Sequence, residues 1–410
     1  MDLEFLPSPL PDRPGLFIRD PYRYTDAAII VPPLLVEGLA FFNGQQTELD
    51  LQAHLVRITG DLVSVEIVRQ LLQALGEQGF LQTATFDGMK AAKHQQFCDA
   101  PLRSPIHAGA AYPAEDAALR ERLDRFSADG ATPPEPDPNL VGPNLVGIAA
   151  PHVSPDGGWR SYAAAYRRLG EPHTDKTFII LGTSHYGAPE KFGLTRKPFV
   201  TPLGTLEPDL ALIDELADAG GEAALLEDYC HSIEHSIEFQ CVFLQHKLGN
   251  GIKIVPLLCG PLAESLVTGR PPESNDQVRR FFDALGELGA KHAGKLVWIL
   301  GIDLAHIGRR YGDQTPARAE EGHLTGVRRA DEERLARVCA SDSEGFFELV
   351  HPGQDELRWC GYAPVYTFLR AVPGVRGEVL RYEQWNIDEQ SVVSFAGMQF
   401  TTKTRRHKEH

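Results

Sequence analysis

Five short apolar runs, Leu145–Ala149, Thr177–Leu181, Ile252–Leu258, Val297–Ile302 and Val392–Met398, recur along the later part of the chain. A strand that is apolar at nearly every position has no face to offer water, so a set of such strands must be covered on both sides. Glu207–Ala217, Ile233–Leu248, Gln277–Lys291 and Gly361–Val372 lie between them and carry helical spacing, with Ile237, Cys241 and Leu244 on one stripe. Buried strands alternating with amphipathic helices predict an α/β three-layer α/β/α sandwich.

The chain is long enough, at 410 residues, for two to three domains. Leu16–Thr83 reads as a small unit of its own. Leu16-Phe17-Ile18 and Ala27–Val31 have strand character, and Leu34–Phe42 is an apolar helical run stopped by Asn43-Gly44. Thr47 is placed to cap a helix ending at Gly60, and Ser64 a second, with Val68, Leu71, Leu72 and Leu75 on one stripe, ending at Gly79. The expected organisation is a winged-helix-like domain over residues 1–95, an α/β domain over 104–400, and a flexible tail at 401–410. Between Ser127 and Gly147, Pro133, Pro134, Pro136, Pro138 and Pro143 predict a loop.

Charge narrows the partners. Forty Lys+Arg against fifty-six Asp+Glu leave a net charge of −16, which disfavours nucleic acid and anionic membrane surfaces. Leu16–Thr83 has only Arg19, Arg23, Arg57 and Arg69 for phosphate contacts, so a DNA-reading winged helix is disfavoured as well. The start Met1-Asp2-Leu3-Glu4 lacks the basic and apolar regions of a signal peptide, and no run has the length of a membrane span, so the expected location is cytoplasmic. Six cysteines without a CxxC then read as free thiols or single metal ligands.

In open α/β sheets ligands bind beyond the carboxyl ends of the strands. Here those ends read Pro151-His152, Gly182-Thr183-Ser184-His185-Tyr186 and Asp303-Leu304-Ala305-His306. One histidine after a strand is unremarkable; three strand ends each delivering one point to a shared site. Ser184, Glu234 and Asp303 nearby are poor choices for a packed core unless they hydrogen-bond something. Imidazoles completed by a thiolate or carboxylate make a metal site with open positions. The chain has no Gly-x-Ser-x-Gly, Walker or HExxH motif, and no Gly-x-Gly-x-x-Gly follows the first strand.

Ser104-Pro105-Ile106-His107-Ala108-Gly109-Ala110-Ala111-Tyr112-Pro113, Ala150-Pro151-His152, Leu181-Gly182-Thr183-Ser184-His185, Glu234-His235-Ser236-Ile237-Glu238, Ile302-Asp303-Leu304-Ala305-His306 and Cys360-Gly361 follow in an order that resembles the Memo-like proteins, known in bacteria and archaea as AmmeMemoRadiSam system protein B. The resemblance implies the fold of the class III extradiol dioxygenases. It places His152, His185 and Cys360 at the metal ligands, Asp303 and His306 at an adjacent acid/base pair, and His235 in the same cleft. A cysteine ligand departs from the two-His-one-carboxylate dioxygenase set, which puts ring cleavage in doubt. The sequence also departs from the family where His-Ala-Gly-Tyr reads His152-Val153-Ser154-Pro155, although the spacing to Tyr166 matches.

The N-terminal stretch, with its Phe42-Asn43-Gly44 turn and Gln78-Gly79-Phe80-Leu81 close, resembles the PqqD-like peptide-recognition domains. Together the two resemblances imply a metal-dependent redox enzyme that uses Fe(II), or Cu or Zn, with His306, Asp303 and His235 as catalytic groups. Its N-terminal domain would dock a peptide or protein, such as a radical SAM enzyme. A non-catalytic binding module using the same cleft and a zinc-dependent hydrolase are the alternatives. No substrate is readable.

Overall fold

The structure, a computed structural model, describes residues 3–129 and 144–402. Pro133 to Pro143 of the proline-rich stretch, and residues 403–410 of the tail, lie outside the described residues. The chain divides into two compact units, residues 1–100 and 101–410.

In the first unit β1 (Glu4–Pro7), β2 (Leu16–Arg19) and β3 (Ala28–Val31) form an antiparallel sheet in that order. There follow α1 (Pro33–Val36), which tightens into a 3-10 turn over Glu37–Phe41, then α2 (Glu48–Thr59), α3 (Val65–Glu77) and α4 (Ala84–Asp99). Thr47 caps α2 through a reciprocal bond pair with Asp50, and Gly60 closes it at φ 72°. The Ser64 hydroxyl accepts the Glu66 N–H at the start of α3. Ile18, Val31, Leu75 and Phe80 form the core between sheet and helices, and Leu51, Leu55 and Val68 a second cluster. Helix α4 was not foreseen because its apolar residues do not share a face; only Phe86 and Phe97 are buried.

The second unit opens with α5 (Asp116–Asp129), β4 (Leu145–Ala150), α6 (Pro155–Tyr166) and β5 (Thr177–Thr183). The short strands β6 (Phe192–Leu194), β7 (Phe199–Thr201) and β8 (Gly204–Pro208) lead to α7 (Leu210–Gly220), β9 (Ala224–Leu226), α8 (Glu238–Leu248) and β10 (Lys253–Cys259). Next come α9 (Ala263–Thr268), α10 (Asp276–Lys291), β11 (Leu296–Gly301), β12 (His306–Gly308), α11 (Leu324–Ala340) and α12 (Ser343–Val350). Helix α13 (Tyr362–Ala371) and the hairpin β13 (Arg376–Asp388) and β14 (Ser391–Thr401) complete it.

Strands β4, β11, β5 and β10 run parallel at the centre, extended by antiparallel β14 beyond β4 and antiparallel β6 beyond β10. Alternate residues feed two cores. Ile179, Leu181, Trp298 and Leu300 pack with α7, α10 and α13 on one face, while Phe178, Ile180, Val297 and Ile299 pack with α6 and α8 on the other. A one-residue slip would exchange both faces at once, which fixes the register. The unit is an α/β/α three-layer sandwich.

Two expected helices start later than their spacing suggested. Glu207 and Pro208 belong to β8, and Asp209 caps α7 by accepting the Leu212 N–H. Ile233 to Ile237 are not helical and α8 begins at Glu238, because the N–H and C=O groups there are taken by side chains of the site.

Candidate metal centre

Strand β4 delivers His152 two residues past its end, β5 delivers His185, and β11 is followed by Asp303. Cys360 precedes Gly361, the residue capping α13. Gly182 and Gly301 are register partners on β5 and β11, and a Cβ on either would collide with Ser236. Their missing side chains let the segment Glu234–Ile237 lie across both strand ends, which brings His235 to the other two histidines.

Ring centroids of His152 and His185 are 5.0 Å apart, those of His152 and His235 5.2 Å, and those of His185 and His235 5.0 Å. One ligand atom from each of these three histidines falls within 4.8 Å of the others. The Nδ1 atoms are already committed. His152 Nδ1 donates to the Gly301 carbonyl at 2.9 Å, and His185 Nδ1 donates to the Glu234 carboxylate at 3.1 Å. His235 Nδ1 also lies 3.1 Å from Glu234. With Nδ1 the donor, Nε2 is the atom each neutral ring would offer a metal, the arrangement by which outer partners orient metal-ligating histidines.

Cys360 Sγ lies 3.3 Å from His152 Nε2. The donor atoms that meet are those of His152, His185 and His235, and Cys360 adjoins this set through His152. Burial pushes the Cys360 thiol up, but the imidazoles of His152 and His306 and hydrogen bonds from His152 and His185 bring it down to about 5. Burial works against charge on His152, yet Asp303 and Cys360 hold it up at about 9. His185 is likewise held well above the usual range, against burial, by Glu234 and Cys360. His235 is pushed down by burial and by the charge of His185 and His152, Glu234 notwithstanding. The Cys360 thiol and the buried Glu234 carboxylate, both held down, therefore face this cluster as anions. Protons on His152 and His185 or a divalent cation supply the balancing charge. The donor set suits a divalent metal.

Asp303 and His306 have different surroundings from those the resemblance implied. Asp303 does not orient His306. Its Oδ1 accepts the backbone N–H groups of His152 at 2.9 Å and Val153 at 3.2 Å, and its Oδ2 lies 3.5 Å from His152 Nε2. His306 is half-buried at the start of β12, with Nδ1 against the carbonyls of Leu304 at 3.0 Å and Arg358 at 3.1 Å. Strand β14 explains the difference: its backbone bonds to Leu304 and Ala305 turn His306 away from the carboxylate.

Two supports had no role in the sequence reading. Arg103, buried to 1%, ion-pairs with Glu238 and donates to the carbonyls of His231 at 2.9 Å and Glu234 at 2.7 Å. Glu238 also accepts the His107 N–H at 3.0 Å and the Tyr112 hydroxyl, so the Ser104–Pro113 motif braces the loop that carries Glu234 and His235. Tyr166 donates to Gln240 at 2.8 Å, and Gln240 donates to the Pro151 carbonyl at 2.8 Å, beside His152. Gln240 carried a signal, a polar side chain between Phe239 and the apolar run Cys241–Leu244.

A model of the Memo-like protein family matches residues 103–399, most of the chain and every residue of this cluster. The chain belongs to the Memo-like family. A MEMO1 family protein of Aquifex aeolicus is 26% identical over 387 residues, covering 93% of this chain and 95% of that protein. One from Thermococcus kodakarensis is 30% identical over 310 residues, covering 73% of this chain and 99% of its own, and one from Pyrococcus furiosus is 29% identical over 289 residues, covering 68% and 91%. The Memo-like domain accounts for nearly the whole Thermococcus protein, whereas the Aquifex match is longer than the second unit and must run into the first.

Proposed function

We propose that this Memo-like protein is a metal-dependent redox enzyme, its Fe(II) or Cu held by His152, His185 and Cys360. The observation that carries the reading is the meeting of His152, His185 and His235, one ligand atom of each within 4.8 Å of the others, with Nδ1 of His152 and His185 already bonded and Cys360 Sγ 3.3 Å from His152 Nε2. Imidazole and thiolate suit Fe, Cu and Zn alike. Three acid/base groups around the donors argue for an open, reactive centre over a closed structural zinc. Bound there, the metal supplies one-electron chemistry and a Lewis acid. His235, kept neutral by burial, accepts a proton, and Glu234 holds its ring. His306 presents Nε2 because backbone carbonyls hold Nδ1. Asp303 fixes the turn that carries His152.

Oxygen uptake by the reduced, metal-loaded chain tests turnover. The expected result is uptake that falls about 10²–10⁴-fold in His235→Gln and His306→Gln. Uptake no greater than in the metal-stripped chain would instead favour a non-catalytic binding module.

The first unit, in this reading, docks an extended peptide or protein partner, such as a radical SAM enzyme. It offers the edge strand β1 and an adjoining apolar cleft of about 270 Å³ lined by Phe5, Ile18, Leu39, Phe42, Leu75 and Phe80. Such an enzyme should co-purify with the full chain and not with a chain lacking residues 1–95. Equal recovery with both contradicts the assignment.

A further inference from the structure

Asp331, on α11, is fully buried, and the chemistry above gives it no part. Its Oδ1 accepts the indole N–H of Trp359 at 2.6 Å, and its Oδ2 accepts the hydroxyls of Tyr382 at 2.7 Å and Ser394 at 2.6 Å. Burial pushes the Asp331 carboxyl up, against the pull of these three donors and of Arg334. A buried carboxylate is costly, and an apolar side chain would fill the same space more cheaply. Packing alone does not account for it.

Two of the three donors, Trp359 and Ser394, lead to opposite sides of the metal centre. Trp359 is the residue before Cys360, and its own N–H goes to Asp355, which Arg334 on α11 holds at 2.7 Å. On the other side the Ser394 hydroxyl accepts the Ala305 N–H at 2.9 Å, and the Ser394 carbonyl accepts the Leu304 N–H at 2.8 Å. Leu304 and Ala305 are the two residues between Asp303 and His306. The two sides also meet directly, since the Gly361 N–H donates to the Asp303 carbonyl at 3.0 Å.

We propose that Asp331 is a positioning residue of the metal centre: it fixes Cys360 relative to the Asp303–His306 segment by gripping Trp359 with one carboxylate oxygen and Ser394 with the other. The inference rests on the reading of Cys360 as a metal ligand. With Asp331 in place, Cys360 Sγ keeps its 3.3 Å approach to His152 Nε2. Without it, the indole loses its acceptor, and the placement of the cysteine is left to the backbone bonds of its neighbours Trp359 and Gly361.

Cobalt(II) alone is a sufficient probe, because a cysteinate ligand adds a sulfur-to-cobalt absorption band that histidines do not. Asp331→Leu and Trp359→Phe, compared with the unaltered full chain, should bind Co(II) about 10–100-fold more weakly and show a weaker sulfur band per bound cobalt. A purely structural role would lower the denaturation midpoint and leave band and affinity of the folded chain unchanged; that result overturns the inference. Should Asp331→Leu fail to fold, Trp359→Phe, which removes one N–H and keeps a ring, decides alone. Absence of the sulfur band in the unaltered chain is a separate outcome: it removes Cys360 from the ligand set, and this inference with it.

Discussion

Glu234 serves two histidines of the centre at once. Its carboxylate takes the backbone N–H groups of His185 and His235, each at 2.8 Å, and the Nδ1 of both rings. Burial pushes it up, but His185 and His235 hold it well below the usual carboxylate range, so it is an anion with every lone pair in use. Glu234→Gln replaces one acceptor oxygen with an N–H₂ that must face another donor. Metal affinity should fall about 10–100-fold in a chain that still folds, read by competition with a chromophoric chelator. A change below about twofold, within the scatter expected of an uncoupled surface change, would show that the carboxylate does not set the rings. His152, His185 and His306 were legible because each follows an apolar strand, and Glu234 because a charge stood where a core was expected. That it serves two histidines at once was not legible, since this depends on Gly182 and Gly301 letting its segment cross the strand ends.

At the level of elements, the central strands could be read from sequence because burial on both faces leaves no alternation to interpret. The helix α6 could not. Two adjacent glycines weaken any helical signal, yet Pro155 opens a helix there, and Gly157 leaves the room that the Trp385 ring of β13 occupies. Strand β13 itself was missed because, among the described residues, it pairs only with β14 and stays half exposed. Arg103 holds the loop between β9 and α8 from outside the sheet. Arg103→Met leaves Glu238, fully buried, without its counter-charge, which typically costs about 3–5 kcal/mol. All four tryptophans, Trp159, Trp298, Trp359 and Trp385, lie in the second unit, so their fluorescence during urea unfolding reports that unit alone. A clear fall in the midpoint is expected; an unchanged midpoint would mean that the pair is replaceable by packing.

For the whole molecule, the division of labour follows the two units. Every candidate ligand, and every residue bracing one, lies beyond residue 100. The Thermococcus relative, matched over 99% of its length, has room for little besides this domain. No helix among the described residues is long and apolar enough to cross a membrane. On the proposed function the metal belongs to residues 101–410, and the first unit is an addition to that centre. Metal content per chain, measured by elemental mass spectrometry on protein purified without added metal, tests this most directly. The full chain and residues 101–410 should carry the same metal in the same proportion. His152→Ala, His185→Ala and Cys360→Ser should lose it, while Asp303→Asn and His306→Gln keep most of it, because they act on the ligands or on substrate and not on the ion. Metal retained in all of the first three, or lost equally from all five, would contradict the assignment of the centre.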